Sequence, residues 1–456
     1  RGRLQIIGAG SSPMRIGVSI LLLVLLVSTE VLGAEKPVTQ DRRQRAAAAF
    51  SDGILLIHAR SEVDSAADGY RQDPYFYYFT GLENAVGAIL AVVGKSGESW
   101  IFLPPYGAFG EHPQVPTGPD LAKELGVDHV ADWSELAGFL AEYGATPLPL
   151  YYVNDGQSVA ALPPNILGQK DNEEPLWVQV ILKKWPTFEG RNVARRLSTL
   201  IAVQSSEELR DLRSAAHATV TALIAGMRAV RPGVSQRNVE AVVENACWGA
   251  GAHGVAFWPW AMAGDNGVFP RPFASMSRYD HLDRNMRSGE LVRLDVGCEW
   301  NHYQGDLGRT VPVSGHYSDE QRETWAVFVA AYHAGVGALR EGATIDRVFA
   351  AWRDELIRHR TLAKTLLAQR AIDSWSKREN VPFWQIHSTN LAAGASPDPL
   401  RAGVTVNFEP IASIDGQGFF LEDMYLIEKD GVELLTPGVP YSAEEIETAM
   451  RHGNHR

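Results

Sequence analysis

The sequence predicts two domains: a smaller α/β domain, followed by an α+β domain in which helices pack over a curved antiparallel sheet. The chain has 456 residues, too many for one ordinary hydrophobic core. Before about residue 200, short apolar runs alternate with turn residues and short helical patterns. After that point, long helical repeats come first and strand-like segments return in the last third. These changes of pattern place the domain boundary near residue 200.

The overall composition is that of a soluble globular protein. Hydrophobic residues make up 45% of the chain and charged residues 21%. The formal net charge is -12, whereas binding to nucleic-acid phosphates requires a basic surface. We therefore expect no nucleic-acid partner.

Residues 1–34 are expected to lie outside the fold. From Met14 to Ala34 the chain has a basic start, a short apolar run and a small-residue exit, which is typical of a secretory signal peptide. The apolar run is shorter than the roughly 20 residues that a membrane span needs. A single N-terminal anchor is the alternative. We expect an exported protein, periplasmic or secreted, without a stable membrane anchor after processing.

Two cysteines, Cys247 and Cys298, are too few to form a disulfide framework. Cys298 lies just past a predicted strand. We expect it to be a small buried apolar residue rather than a disulfide partner or a nucleophile.

The first domain, residues 35–200, is expected to mix strands with short helices. Its strands are predicted from short apolar runs bounded by turn residues. The predicted strands are 53–57, 75–81, 88–93 and 100–103, and the predicted helices are 120–125 and 133–142.

The second domain, residues 201–445, is expected to begin with a helix at Ser206, because acids follow in its first turn and apolar residues recur at helical spacing. Arg231-Pro232-Gly233 should end this helix. The other predicted helices are 235–248, 319–340 and 345–369, and the predicted strands are 254–262, 383–387, 403–409 and 419–427.

Residues 291–313 form a predicted β-hairpin with one carboxylate in each arm. Because strand side chains alternate, Arg293 and Asp295 share one face of the first arm, and Asp306 lies on one face of the second. The polar tip, which includes Glu299 and His302, is expected to be a solvated turn. Folding back brings Asp295 and Asp306 side by side. Two crowded carboxylates resist ionisation unless a cation lies between them.

Three further candidate ligands, His387, Glu409 and Glu422, lie in largely apolar strands of the last third. Ionisable groups are rarely buried unless they are paired or bound to metal. Taken singly, each has an ordinary alternative, such as a core histidine or half of a surface ion pair. Together with Asp295 and Asp306 they would suit a pair of Mn, Co or Zn ions that share and activate a hydroxide.

The order of these segments along the chain and their amino-acid sequences resemble those of the aminopeptidase P and prolidase group of the pita-bread metallopeptidases, family M24. The resemblance runs from about residue 50 to about residue 440, and Asp295 and Asp306 have the family's spacing of eleven residues. The matching segments are YFYYFTGLENAVGAIL, LDVGCEWNHYQGDLGRT, the His387 strand, VNFEP and FLEDMYLIEKDGVELLT.

The resemblance implies a creatinase-like N-terminal domain on a pita-bread catalytic domain that binds two divalent metal ions, manganese first, with cobalt or zinc as alternatives. Asp306 and Glu422 would bridge the ions, and His387 and Glu409 would hold one of them. Glu409 would also act as the general base and acid. The implied metal ligands are Asp295, Asp306, His387, Glu409 and Glu422.

Family members hydrolyse the bond after an N-terminal residue when proline follows it. The N-terminal domain and a partner subunit limit access to short or unfolded peptides. The resemblance therefore implies short peptides as substrates and a homodimer or higher homo-oligomer.

The chain departs from the family at three positions. Arg271 and Gly394 stand where the family carries histidines that contact the substrate and stabilise the tetrahedral intermediate, and Phe420 stands where it often carries an arginine. Arg271 either binds a substrate carboxylate or developing oxyanion, or forms a structural ion pair. The alternative function is a non-hydrolytic or weakly active peptide-binding protein on the same fold. A hydrolase of non-peptide C–N bonds is disfavoured, because such relatives lack the metal ligands.

Overall fold

The structure is a computed structural model that describes residues 38–61, 71–104, 119–154, 174–269, 271, 282–381, 383–389, 391, 394–395 and 398–451. The predicted signal peptide lies outside these residues and stays a prediction. Within the described ranges, no helix is long and apolar enough to cross a membrane.

The first domain is an α/β unit built on a six-stranded mixed sheet with the strand order β4-β3-β2-β1-β5-β6. The central strand β1 pairs antiparallel with β2 and parallel with β5. The strands are β1 (Ile54–His58), β2 (Ile89–Val93), β3 (Ser99–Leu103), β4 (His129–Asp132), β5 (Leu148–Tyr152) and β6 (Phe188–Asn192). The helices are α1 (Val38–Ala49), α2 (Pro74–Thr80), α3 (Pro119–Leu125), α4 (Trp133–Tyr143), α5 (Leu176–Lys184) and α6 (Ala194–Leu200).

Helix α2 corrects the strand predicted over residues 75–81. The Asp73 side chain caps the helix by accepting a hydrogen bond from the Phe76 amide, and Pro74 occupies the first turn. Gly81 ends the helix in the left-handed conformation, with φ of 71°. The run of aromatic residues between these signals favours a strand by propensity, but the start and stop signals decide the outcome.

The second domain contains an eight-stranded antiparallel sheet with the order β14-β13-β15-β16-β12-β9-β8, and β17 pairs with β16. A separate three-stranded sheet has the order β11-β10-β7. The strands are β7 (Gly254–Val255), β8 (Trp260–Ala263), β9 (Leu291–Val296), β10 (Cys298–Trp300), β11 (Tyr303–Gln304), β12 (Leu307–Pro312), β13 (Phe383–Ser388), β14 (Gly394–Ala395), β15 (Thr405–Ile414), β16 (Gln417–Ile427) and β17 (Val432–Leu434).

Helices pack against the large sheet and complete the α+β domain that the sequence predicts. Trp325, Trp352 and Trp375 are fully buried around Phe328 in the apolar layer between helices and strands. The helices are α7 (Ser206–Ala229), α8 (Gln236–Gly249), α9 (Asp319–Val336), α10 (Ile345–His359), α11 (Leu366–Trp375) and α12 (Ala443–Arg451), with 3-10 turns at Gly264–Gly267 and Arg378–Asn380. Helix α7 starts as predicted, with a capping box between Ser205 and Glu208.

The single helix predicted over residues 345–369 is two helices, α10 and α11. The Glu323 carboxylate of α9 accepts hydrogen bonds from the backbone amides of Lys364 and Thr365. The Thr365 side chain then caps α11. A carboxylate from a distant helix therefore fixes this break, and local sequence alone gives no sign of it.

The predicted hairpin exists, but each arm is divided between two sheets. Strands β9 and β12 pair in the large sheet, whereas β10 and β11 pair in the small one. The turn lies at Asn301 and His302, which have φ of 49° and 68°. In the register, Asp295 pairs with Gly308 rather than with Asp306. The two carboxylates are therefore diagonal neighbours and not a directly opposed pair.

The hairpin tip is not the solvated turn expected from its polarity, because it docks on the first domain. His302 is only 6% exposed, and its Nε2 lies 2.5 Å from Glu83 Oε2. The His302 ring packs on Tyr77 at a centroid distance of 4.4 Å. Glu299 forms an ion pair with Arg71. The polar tip thus serves as an interdomain contact.

Cys298 is buried as expected, but the expectation that it is not a disulfide partner is wrong, because Cys247 of α8 and Cys298 of β10 form a disulfide. Their Cα atoms are 5.5 Å apart, within the range that disulfide geometry allows. After Gly297 the chain leaves the large sheet and carries Cys298 beneath α8. This change of sheet is what brings the two cysteines together, and their separation of 51 residues gave no indication of it.

Replacing both cysteines, as C247A/C298A, should lower the free energy of unfolding by up to about 4 kcal/mol. The disulfide restricts the unfolded chain, and this entropic stabilisation of the folded state grows with the length of the closed loop. Chemical denaturation of the two proteins measures the difference. In the unsubstituted protein, thiol labelling under denaturing conditions without reductant should find no free thiol. Two labelled thiols would contradict the pairing.

Candidate metal centre

Neighbouring strands of the large sheet place five ionisable side chains close together. Asp295 lies on β9, Glu422 on β16, Glu409 on β15 and His387 on β13, while Asp306 immediately precedes β12. These strands are consecutive in the sheet order. Because side chains alternate along a strand, these residues project from the same face. The side chains of the five predicted ligands therefore lie close together, as the family resemblance implies.

The ligand atoms fall into two overlapping triads. One comprises Asp306, His387 and Glu422, and the other Asp295, Glu409 and Glu422, with the ligand atoms of each triad within 4.8 Å of one another. Glu422 belongs to both, as expected of a ligand that bridges two ions. Asp306, the other predicted bridge, belongs to only one.

His387 is the imidazole at the centre of the cluster. Its Nε2 lies 3.2 Å from Glu422 Oε1, 3.5 Å from Glu409 Oε2 and 3.6 Å from Asp306 Oδ2. One ring nitrogen therefore faces three carboxylates. This arrangement suits a metal ligand, and it differs from that of a core histidine satisfied by one partner.

Burial and mutual repulsion disfavour the ionised carboxylates. Burial raises the pKa of Asp295 to about 6, against the stabilising charge of Arg293. Burial, with the nearby charge of Glu409, raises the pKa of Glu422 to about 8. The pKa of Asp306 is raised well above its usual range by burial and by Glu422. The energetic cost of charging these groups together is what a bound cation would offset.

Burial tends to lower the pKa of His387, but its hydrogen bonds with Glu409 and Glu422 dominate and raise that pKa well above the usual value. A proton on His387 partly neutralises the carboxylates when no cation is present. Metal binding requires this proton to leave.

The hydrogen-bonding state of the carboxylate oxygens in the cluster is compatible with bound divalent cations. Asn407 Nδ2 donates to Glu422 Oε1 at 2.7 Å, and Gln385 Nε2 donates to Glu409 Oε2 at 2.7 Å. Among the described residues, the buried Glu422 Oε2 has no hydrogen-bond partner. Burying an oxygen without a hydrogen bond lowers the stability of the fold unless an ion coordinates that oxygen. Carboxylate oxygens with one imidazole suit divalent ions such as Mn, Co or Zn.

The sequence gave no role to the residues that orient these ligands. Asn407 and Gln385 lie two positions before Glu409 and His387, so they occupy the same strand faces as the ligands. That spacing of two is the signal that could have identified them. Such supporting groups commonly fix ligand orientation in metal sites.

A buried charge pair supports β16 from the face opposite to the candidate ligands. Arg309 donates to both carboxylate oxygens of Asp423 and to the backbone carbonyl of Glu422. Both side chains are completely buried. The pair fixes the backbone directly beside the shared ligand.

The three departures from the family pattern have different surroundings. The Arg271 side chain is 52% exposed, and its Nη1 lies 3.9 Å from Asp265 Oδ2, so the ion-pair alternative is present. A substrate role for Arg271 stays a prediction. Gly394 lies on β14, whose backbone pairs with the His387 strand. Phe420 is fully buried, and the guanidinium of Arg293 lies 4.2 Å from its ring centroid.

Comparisons with known proteins agree with this fold. Residues 39–149 match the model of the aminopeptidase P N-terminal domain, and residues 210–429 match that of metallopeptidase family M24. The two-domain, pita-bread architecture is the one expected of the families that these two models describe. The chain belongs to the aminopeptidase P group of family M24, a family whose members use divalent metal.

Individual relatives are distant in sequence. The Xaa-Pro aminopeptidase of Escherichia coli is 26% identical over 450 residues, which cover 90% of this chain and 97% of that protein. A probable Xaa-Pro aminopeptidase of Sclerotinia sclerotiorum is 27% identical over 60% of this chain, and the alignment spans only 47% of that relative. A solved variant of Escherichia coli aminopeptidase P in complex with substrate has a TM-score of 0.72 at 24% identity, covering 91% of this chain and 98% of that one.

In the metal-free protein, the free energy of unfolding should decrease as the pH rises from about 5 to about 8. The folded-state pKa values of Asp295, about 6, and Glu422, about 8, exceed those of unfolded carboxyls. The folded state therefore holds more protons, and the free energy of unfolding decreases with pH through this window. His387 contributes with the same sign, because its stabilising proton is lost as pH rises through its raised folded pKa.

Melting temperatures of chelator-treated and manganese-loaded protein across this pH range measure the effect. The difference between the two forms should widen with pH, because bound cations replace the protons. An increase in the melting temperature of the metal-free form from about pH 5 to about pH 8 would contradict the assignment.

Proposed function

We propose that this chain is an exported, metal-dependent exopeptidase that hydrolyses the N-terminal residue from Xaa-Pro-type peptides. The observation that carries the proposal is the pair of overlapping triads that share Glu422. Two sets of ligand atoms with one residue in common suit two adjacent divalent ions, with manganese as the first choice. Asp295, Asp306, His387, Glu409 and Glu422 would hold them.

Two bound ions would supply Lewis-acid activation of a water molecule and of the scissile carbonyl. The chain supplies proton transfer and orientation. Glu409, held by Gln385 at 2.7 Å, would take the proton of the attacking water and return it to the leaving amine. Asn407 keeps Glu422 in one orientation. Such fixed groups reduce the reorganisation needed when the reaction occurs.

The preference for proline after the N-terminal residue is supported by the names of the relatives, including the Escherichia coli protein. Short peptides are the substrate class that this similarity favours. A homodimer or higher homo-oligomer belongs to the same proposal and rests on the family resemblance.

The alternative is a non-hydrolytic or weakly active peptide-binding protein. The observation that favours it is the loss of both auxiliary histidines, with an exposed Arg271 paired to Asp265 at one of those positions. Tetrahedral intermediates need donors placed where their charge develops. Metal binding without turnover would support this alternative.

Export is supported by the leader-like residues 14–34 and by the disulfide between Cys247 and Cys298. Disulfides persist in oxidising compartments and are rare in reducing ones. A periplasmic or secreted location suits both features.

Glu409→Gln should reduce cleavage of an Xaa-Pro peptide by about 10²- to 10⁴-fold, because it removes the general base and acid. Cleavage should be measured with Xaa-Pro and matched Xaa-Ala peptides, before and after chelation and manganese addition. The exposed Glu433→Gln, whose carboxylate pairs with Arg213, is the matched control and should keep full activity.

Activity that survives both chelation and Glu409→Gln would refute the metallopeptidase proposal. Manganese binding with peptide binding, but without cleavage at any metal loading, would establish the alternative function.

Expression of the full chain in a bacterial host should yield a mature protein whose N-terminus lies close to Ala34, because a signal peptidase cleaves after small residues. N-terminal sequencing and cell fractionation measure this outcome. An uncleaved leader in the membrane fraction would favour the anchor, and an uncleaved chain among cytosolic proteins would refute export.

A further inference from the structure

Arg293 is a completely buried cation beside the carboxylates of one triad. Its side chain is 1% exposed, and its Nη2 lies 2.5 Å from Asp295 Oδ2 and 3.6 Å from Glu409 Oε1. Arginine is almost never fully buried unless it is paired. Its position two residues before Asp295 places both side chains on the same face of β9.

Two aromatic rings confine the guanidinium. Its Cζ lies 4.2 Å from the ring centroid of Phe420 and 5.6 Å from that of Trp260. A planar guanidinium packs well on an aromatic face, so these contacts limit how far Arg293 can move.

Phe420 fits beneath Arg293 because Gly308 has no side chain. A Cβ atom at Gly308 would lie 1.7 Å from a carbon of the Phe420 ring. Arg293 on β9, Gly308 on β12 and Phe420 on β16 therefore form one packing unit across three neighbouring strands. The sequence similarity leads us to expect an arginine at the position of Phe420. Here the guanidinium comes from β9 and the ring fills the space below it.

The Arg293 side chain directs its hydrogen bond to the candidate ligand Asp295. Among the described residues, its buried Nε and Nη1 have no hydrogen-bond partner, whereas Nη2 donates to Asp295. Unpaired buried N–H groups cost stability. An arginine selected for stability alone would satisfy more of its donors, so its placement indicates a role at the carboxylates.

We infer that Arg293 is a positioning residue of the metal centre, which holds the Asp295 carboxylate in its ligating orientation from β9 in place of the arginine expected at position 420. The inference rests on the proposed dinuclear function. It concerns how the Asp295, Glu409 and Glu422 triad is arranged before an ion binds. Partners that orient ligands in this way are typically worth 10- to 100-fold in metal affinity or activity.

A positioning role and simple charge repulsion predict opposite results for metal affinity. If Arg293 only repelled cations, its removal would tighten metal binding. If it orients Asp295, its removal should weaken binding of one of the two ions by about 10- to 100-fold. Manganese affinity and stoichiometry of the full chain, measured by equilibrium dialysis, separate these possibilities without relying on hydrolysis.

The test compares Arg293→Lys, Arg293→Asn and the double variant R293N/F420R with the unsubstituted protein. Arg293→Lys keeps the charge and the stem but not the planar guanidinium, so we expect a folded protein with weakened binding of one ion. R293N/F420R returns a guanidinium from β16, where Gly308 leaves space, and should recover most of the affinity. Exposed Arg213→Lys, whose partner is Glu433, is the matched control.

Unchanged or tighter manganese binding in folded Arg293→Lys and Arg293→Asn would overturn the inference while leaving the proposed function intact. Failure of the unsubstituted protein to bind two manganese ions would instead refute the dinuclear proposal itself. Circular dichroism of each variant confirms that a loss of affinity is not a loss of folding. Weakening by Arg293→Lys establishes the role even if the double variant does not fold.

Discussion

The constraint on which the metal centre depends is the crowding of four carboxyl groups, three of them buried and one partly exposed, around one imidazole. Like charges at such distances repel strongly in a medium that screens them poorly. The fold meets this cost in part with Arg293, with the proton held by His387 and with the amides of Asn407 and Gln385. It leaves one oxygen of Glu422 without a hydrogen bond among the described residues. The arrangement is a compromise in which stability is given up for a site that attracts cations.

Side chains alternate between the two faces of β16, so the site depends on the register in which this strand pairs with its neighbours. Glu422 projects toward the ligands, while the next residue, Asp423, projects to the opposite side and pairs with Arg309. A shift of one residue would exchange the two carboxylates and leave Arg309 buried without its partner. The adjacent acids therefore have two different roles, since Glu422 is a proposed metal ligand and Asp423 fixes the strand that presents it.

The sequence was sufficient to predict the α/β and α+β domains, because helix and strand periodicity carry that information. The full set of five candidate ligands came from the resemblance to the family, because spacing alone does not show which side chains converge. The sequence was not sufficient for features that depend on distant partners. The Cys247–Cys298 disulfide arises because β10 leaves the main sheet, and the break before α11 depends on Glu323 from another helix. Arg293 shared a predicted strand face with Asp295, but its role emerges only from the stacking against Phe420. Local patterns do not record such contacts.

The docking of the two domains extends beyond the polar tip of the hairpin. One buried apolar cluster joins Phe76 and Phe79 of the first domain to Tyr303, Met424 and Leu426 of the second. Met424 lies on the same strand as Glu422. A shortened chain that began at α7 would expose this apolar surface to solvent beside β16, which carries Glu422. Such a chain would tend to aggregate. The first domain thus covers an apolar surface of the second, and any domain that replaced it would need a matching apolar face.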